Sequence, residues 1–284
     1  MAKELTRPAT AAPAGASARA RPSHDGPAIS VKNLSKTYTT RRGPVEAVRD
    51  SSFDVKSGEF VALVGPSGCG KSTILQIVAG LIPYNAGTVQ VAGTEAEPGR
   101  REVGIMFQSA VLLPWRTVLA NVLLPMEVFG LNGAKAKERA HELLSVVGLQ
   151  GFDDKYPWEL SGGMQQRASL ARILVYEPEI LLMDEPFASL DEFTRERLNV
   201  ELAHIHETYG RSVLYVTHNI QEAVLLSDRV VVMKPHPGEI LDIVETKLPR
   251  PRSLDVLLEP KTAELVSSIR RMLYTDELGG RANG

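Results

Sequence analysis

Val61-Ala-Leu-Val-Gly-Pro-Ser-Gly-Cys-Gly-Lys-Ser-Thr73 is an apolar run that breaks into a glycine-rich loop and closes on a lysine and two hydroxyls. Gly65 to Ser72 fit the spacing G-x-x-x-x-G-K-S, with a strand pattern before them and a helix pattern after them. Loop N–H groups left unpaired at a helix start turn toward one concavity and wrap an anion such as a β-phosphate. Gly65, Gly68 and Gly70 let the main chain approach closely, with Pro66, Ser67 and Cys69 set between them. Lys71 reaches the β and γ oxygens as a point charge, the Ser72 hydroxyl is placed to ligate Mg²⁺, and Thr73 completes the candidate nucleotide loop. An ordinary Gly-rich turn is the competing reading, and the flanking elements set it well behind.

Working outward, 284 residues with 43 % hydrophobic content suffice for one large α/β domain or two small ones. A formal charge of −2 argues against a protein held on nucleic acid by bulk charge. Cys69 stands alone, which excludes an internal disulfide and suits a reducing compartment. Two readings stand for it: a thiol whose pKa is depressed by Lys71 at a helix start, or a small residue tolerated in a tight loop. No apolar run approaches the roughly 18 residues of a membrane-spanning helix, so a soluble or peripheral protein is expected. Residues 1–28, rich in Ala, Pro, Ser and Arg, lack the apolar core of a secretory signal and read as a disordered tail, with a transit peptide as the minor alternative.

Alternation predicts strands from Ile29 and over Val45 to Val55, and a short one at Thr88. Tyr38 either stacks on a purine or sits on a sheet face. Thr73 to Ala79 reads as the helix after the loop, closed by Gly80. Glu102 to Gln108 is a strand ending in an amide, so Gln108 is either a metal or water ligand or a surface residue. From Val118 to Val147 the pattern is helical, with Leu143, Leu144, Val146 and Val147 on one apolar stripe and Lys135, Lys137, Glu138 and Arg139 on a solvated face. Ser161 and Gly162, in Leu160-Ser-Gly-Gly-Met-Gln-Gln-Arg167, open another helix and form either a second anion site or a plain serine cap. Ile180-Leu-Leu-Met-Asp-Glu-Pro186 is a buried strand that delivers two acids at its carboxyl end, where open α/β sheets bind their ligands. Asp184 is placed to hold Mg²⁺ and Glu185 to orient water against a γ-phosphate as a general base. Val213 to His218 repeats that design with one histidine, and Leu265, Val266, Ile269 and Leu273 mark a helical tail.

In the order Tyr38, Gly-Pro-Ser-Gly-Cys-Gly-Lys-Ser-Thr, Gln108, Leu-Ser-Gly-Gly-Met-Gln-Gln-Arg, the Asp184–Glu185 pair, Ala188 to Asp191, then His218, the chain resembles the ATP-binding subunit of an ABC transporter from about Ile29 to Leu248. The resemblance implies an α/β fold with a P-loop NTPase (RecA-like) core, an antiparallel β subdomain and a helical insertion at about 111–178. The domain would span 29–250, followed by a helical tail over 251–284. It further implies a head-to-tail dimer closing on two ATP molecules, each copy lending Ser161, Gly162, Gly163, Gln165 and Asp191 to the other's site. Tyr38 would stack on adenine, Gln108 would reach Mg²⁺ and the attacking water, Glu185 would act as base, and His218 would hold the γ-phosphate while Lys71 stabilises charge.

A narrower resemblance lies in Leu112-Leu-Pro-Trp-Arg-Thr-Val-Leu-Ala-Asn-Val-Leu-Leu-Pro125 and Leu248-Pro-Arg-Pro-Arg252, which look like the nitrate, sulfonate and taurine import branch. That branch implies a two-subunit permease, a periplasmic or extracellular solute-binding protein, no nucleic-acid partner, and a peripheral place on the cytoplasmic face of the inner membrane. Trp115 would line the permease-docking groove or pack in the core. Asn219 stands where the family usually has an acid, and Trp158 where smaller or polar residues are common. The competing functions are an exporter or lipid-trafficking subunit, a soluble ABC ATPase that moves no solute, and a small-molecule kinase; the last leaves the two-glycine stretch without a role.

Overall fold

The computed structural model describes residues 26–131, 133–235 and 237–280. The tail expected over residues 1–28 lies outside them except for its last three positions. Among the described residues one sheet is antiparallel, built from β1 (Ile29–Thr40), β2 (Gly43–Val55), β4 (Ala86–Val91) and β5 (Thr94–Glu95) in the order β2-β1-β4-β5. The other contains β3 (Phe60–Val64), β6 (Val103–Met106), β7 (Ile180–Asp184), β8 (Ser212–Thr217), β9 (Arg229–Lys234) and β10 (Glu239–Glu245), ordered β10-β9-β3-β8-β7-β6. All its pairings are parallel except that of β10 with β9. Every residue of β3 and β8 is buried, as strands covered on both faces require.

Helix α1 (Lys71–Val78) follows the phosphate loop and packs with both sheets; α5 (Glu192–Tyr209), α6 (Ile220–Leu226) and α7 (Pro260–Gly280) also accompany the large sheet. The helical insertion comprises α2 (Val118–Val128), α3 (Ala134–Val146) and α4 (Gly162–Leu174). What periodicity presents as one helical stretch from 118 to 147 is broken between α2 and α3, where Gly130 takes a φ of 66° that ends α2. Leu143, Leu144 and Val147 are buried, whereas Val146 is 41 % exposed. At about 100° per residue Val146 falls at the margin of that stripe, so it does not belong to the core face. Arg139 also departs from the expected solvated face: its guanidinium lies 5.2 Å over the Tyr209 ring.

Candidate active site

Sheet register decides which loops meet. Val64 pairs with Thr217, Asp184 with Val216, and Met106 with Met183. The strand ends are therefore level, and the phosphate loop, Gln108, Glu185 and His218 all leave from the carboxyl edge of β3, β6, β7 and β8.

In the loop, Gly68 and Gly70 have φ of 81° and 89°, left-handed values that L side chains rarely adopt. A Cβ at Gly70 would also come within 2.7 Å of the Ala47 carbonyl. Lys71 is buried, and its Nζ donates to the Gly65 and Pro66 carbonyls at 2.8 and 3.0 Å. Its partners thus lie on the loop it would share with a phosphate. Cys69 is fully buried, and burial pushes its thiol up against the opposing charge of Lys71. That overturns the activated-thiol reading: desolvation of the thiolate outweighs one ammonium.

The Ser72 hydroxyl donates to Asp184 Oδ1 at 2.8 Å. Burial is the chief cause that raises the Asp184 carboxyl above its ordinary range, with Glu185 adding to it and Ser72 and Lys71 opposing. A hydroxyl and a partly desolvated carboxylate are hard oxygen donors that a divalent cation would relieve, so the set fits Mg²⁺. Glu185 has a φ of 44°, uncommon for a residue with a side chain, and its N–H donates to the Val216 carbonyl at 2.9 Å. Its Oε2 lies 3.0 Å from His218 Nδ1. The His218 side chain is 52 % exposed, which excludes a core histidine. Asn219 caps α6, its Oδ1 accepting from the N–H groups of Gln221 and Glu222 at 2.9 and 3.2 Å. An amide oxygen serves there as an acid's would, so the departure leaves the helix start behind His218 intact.

Tyr38 lies on β1, with its hydroxyl 3.4 Å from Thr73 Oγ1 and Lys36 Nζ 4.9 Å from the ring centre. Gln108 is exposed, and its carbonyl accepts from Gln166 Nε2 at 2.6 Å. Arg172 donates to the Ala110 and Val111 carbonyls at 2.8 and 2.7 Å. Sequence reading missed this clamp between the Gln108 loop and α4: Gln166 is buried, although it lies opposite the apolar stripe that the sequence shows on this helix. Ser161 caps α4 by accepting from the Met164 N–H at 3.3 Å, and among the described residues no hydrogen bond joins it to the phosphate loop. Gln165 directs its amide at the Pro157 and Leu160 carbonyls, behind the helix start. Asp191 caps α5 by accepting from the Thr194 N–H at 3.0 Å, bonds that hold its carboxyl below the usual range. Trp115 is 71 % exposed, so the core-packing alternative fails, and Trp158 stacks on Tyr156 at 4.6 Å.

Comparison with known proteins finds the family described as ABC transporter over residues 48–188. An uncharacterized ABC transporter ATP-binding protein of Methanocaldococcus jannaschii is 46 % identical over 79 % of this chain and 84 % of its own. The aliphatic sulfonates import ATP-binding protein of Bacillus cereus is 39 % identical over 89 % and 97 %. The taurine import ATP-binding protein of Escherichia coli is 41 % identical over 70 % and 78 %. Among solved structures, a dimeric bacterial ABC transporter cassette matches with a TM-score of 0.70 and 34 % identity, covering 78 % of this chain and all of the other. The same cassette in a post-hydrolysis state bound to ADP and phosphate matches at 0.69.

Proposed function

The chain belongs to the ABC transporter family of ATP-binding proteins, and from that premise we propose that it energises import of a small anionic solute of the sulfonate or taurine kind. It is an ATPase that drives transport. The relatives named for sulfonate and taurine import, 39–41 % identical over most of the chain, support the importer branch. The loop sequence from Leu112 to Pro125 supports it as well. Partners would be a second copy, a two-subunit permease reached from the cytoplasmic face, and the permease's solute-binding protein. No helix among the described residues is long and apolar enough to cross a membrane, in keeping with a peripheral subunit.

In the proposed mechanism Lys71 exchanges its loop carbonyls for the β and γ oxygens of ATP, and Tyr38 stacks on the adenine. Ser72, Asp184 and Gln108 would hold Mg²⁺, which when bound offsets charge on the phosphate oxygens. Glu185 takes the proton of the attacking water. With Nδ1 protonated, His218 fixes one carboxylate oxygen and leaves the other to the water, and it also faces the γ-phosphate. Ser161 and Gly162 of each copy complete the other's γ-phosphate site, so the copies hold together only while that phosphate spans them. Hydrolysis then opens the pair.

The observation that carries this reading is the level row of strand ends, with Ser72 on Asp184 and His218 on Glu185 beside one phosphate loop. Glu185→Gln should bind ATP and lose turnover by roughly 10²–10⁴. Near-normal ATPase activity in that variant would refute the base assignment. Capture of the permease pair followed by ligand screening of its binding protein tests the solute, and a binding protein that ignores sulfonates and taurine removes that part.

A further inference from the structure

Glu222 stands in the first turn of α6 and is only 8 % exposed, a burial that carboxylates reach almost solely when paired. Its two oxygens face different elements. Oε2 accepts from the Thr217 hydroxyl at 2.7 Å, and that hydroxyl oxygen in turn accepts from the Asn219 N–H at 3.0 Å. The carboxylate thereby fastens the residues on both sides of His218. Oε1 accepts from Asn199 Nδ2 and lies 3.3 Å from Arg195 Nε. Asn199 and Arg195 both belong to α5, the helix headed by Asp191. Arg195 also pairs with Glu192 in the first turn of α5 at 2.7 Å. The hydroxyl of Tyr215, on β8, is held in its protonated form by burial first and by the Glu222 charge second.

We propose that Glu222 is a positioning residue for hydrolysis, holding the His218 loop in register with α5 so that the His218–Glu185 pair and Asp191 move as one unit. The proposal rests on His218 and Glu185 being the hydrolytic pair. Hydrogen bonds to an ionised carboxylate in a low-dielectric interior are stronger than neutral ones, which suits a group asked to carry registry between two elements. A carboxylate is also the group that accepts from all of these donors at once. Thr217, Asn199 and Arg195 each aim a hydrogen at Glu222, and both carboxylate oxygens accept. An amide has one accepting oxygen. If it faces Arg195 and Asn199, its NH₂ faces Thr217, whose hydroxyl must turn its proton away and accept instead. A charge-assisted bond then gives way to a weaker neutral one of reversed direction, and the lock on the His218 loop loosens while the fold keeps its other contacts.

Glu222→Gln is therefore expected to lower kcat by roughly ten- to a hundredfold with the KM for ATP within about twofold, because misplacement of the reacting groups costs rate more than binding. Thr217→Val cuts the same bond from the other side and should reproduce that split. Combined with Glu222→Gln, it should add little further loss. In a His218→Ala background, Glu222→Gln should likewise cost little, since the group it positions is gone. Turnover unchanged in folded Glu222→Gln and Thr217→Val overturns the proposal, as does full additivity with His218→Ala, which would indicate a general packing role. Should Glu222→Gln fail to fold, Thr217→Val decides alone by the same criteria. Normal turnover in both Glu185→Gln and His218→Ala would instead overturn the hydrolytic pair itself and the present proposal with it. That failure is distinguishable because it leaves no pair for Glu222 to position.

Discussion

At the scale of single residues, burial outranks sequence neighbours. His206 on α5 is 5 % exposed, and its pKa is lowered from 6.5 to about 4 by burial first and by the Arg250 charge second. The neutral ring is the folded form. At pH 7 neither state gains a proton, so its contribution is fully present there. As the pH falls below about 6.5 the unfolded chain takes up a proton that the folded chain refuses, and the loss is complete once the pH passes below about 4. At about 1.4 kcal/mol per pH unit, this histidine alone should remove on the order of 3 kcal/mol across that window. Urea unfolding between pH 7 and pH 5 should show the decline, and His206→Gln should flatten it; an equal slope in the variant rejects the assignment. Cys69 follows the same logic. Its neighbours in sequence, Lys71 and a helix start, suggest an activated thiol, but the side chain lies between the loop and the apolar interior where no thiolate is solvated. Alkylation should be slow in the native protein and rise to the rate of a free thiol in denaturant. Rapid native labelling would contradict the buried placement.

At the scale of elements, legibility followed the type of interaction. β3, β7 and β8 could be read because strands buried on both faces are apolar throughout, and the ends of those runs named Asp184, Glu185 and His218. The phosphate loop could be read because its geometry demands specific residues at fixed spacing. The interruption between α2 and α3 was readable in Phe129-Gly-Leu-Asn-Gly133, whose glycines and asparagine are helix-ending residues, although the apolar residues on either side suggested one stretch. The clamp of Gln166 and Arg172 on the loop at 108–111 was hidden: such bonds join residues about 60 positions apart to backbone carbonyls, which carry no sequence signal. This clamp carries its own expectation. Gln166→Ala removes the bond to the Gln108 carbonyl and should cost about 0.5–1.5 kcal/mol of stability. It should also speed amide exchange in 107–111 relative to the core strands, measured by hydrogen exchange; exchange confined to α4 would show that the loop is held by something else.

At the scale of the whole molecule, the exposed start of α4 fits the proposed pairing of two copies. Ser161 and Gly162 open α4 at an exposed place, and among the described residues they make no hydrogen bond to the chain's own phosphate loop. In the proposed two-fold pair each copy's loop would meet the other's α4, and the symmetry would make both sites alike. The consequence can be tested with two disabled chains. Lys71→Ala removes the loop charge, and Gly162→Asp fills the α4 start with a negative group. Each alone leaves both sites of its own dimer broken. Mixed, half of the pairs are hybrids, and each hybrid joins an intact loop from one chain to an intact α4 start from the other. One site of two is restored, so the mixture should recover up to about a quarter of native turnover if sites fire independently. A chain that completed its site alone would recover nothing on mixing, because neither variant would own a whole site. Silence in a mixture whose hybrid pairs are demonstrated by tagged capture would therefore mean that α4 serves its own loop.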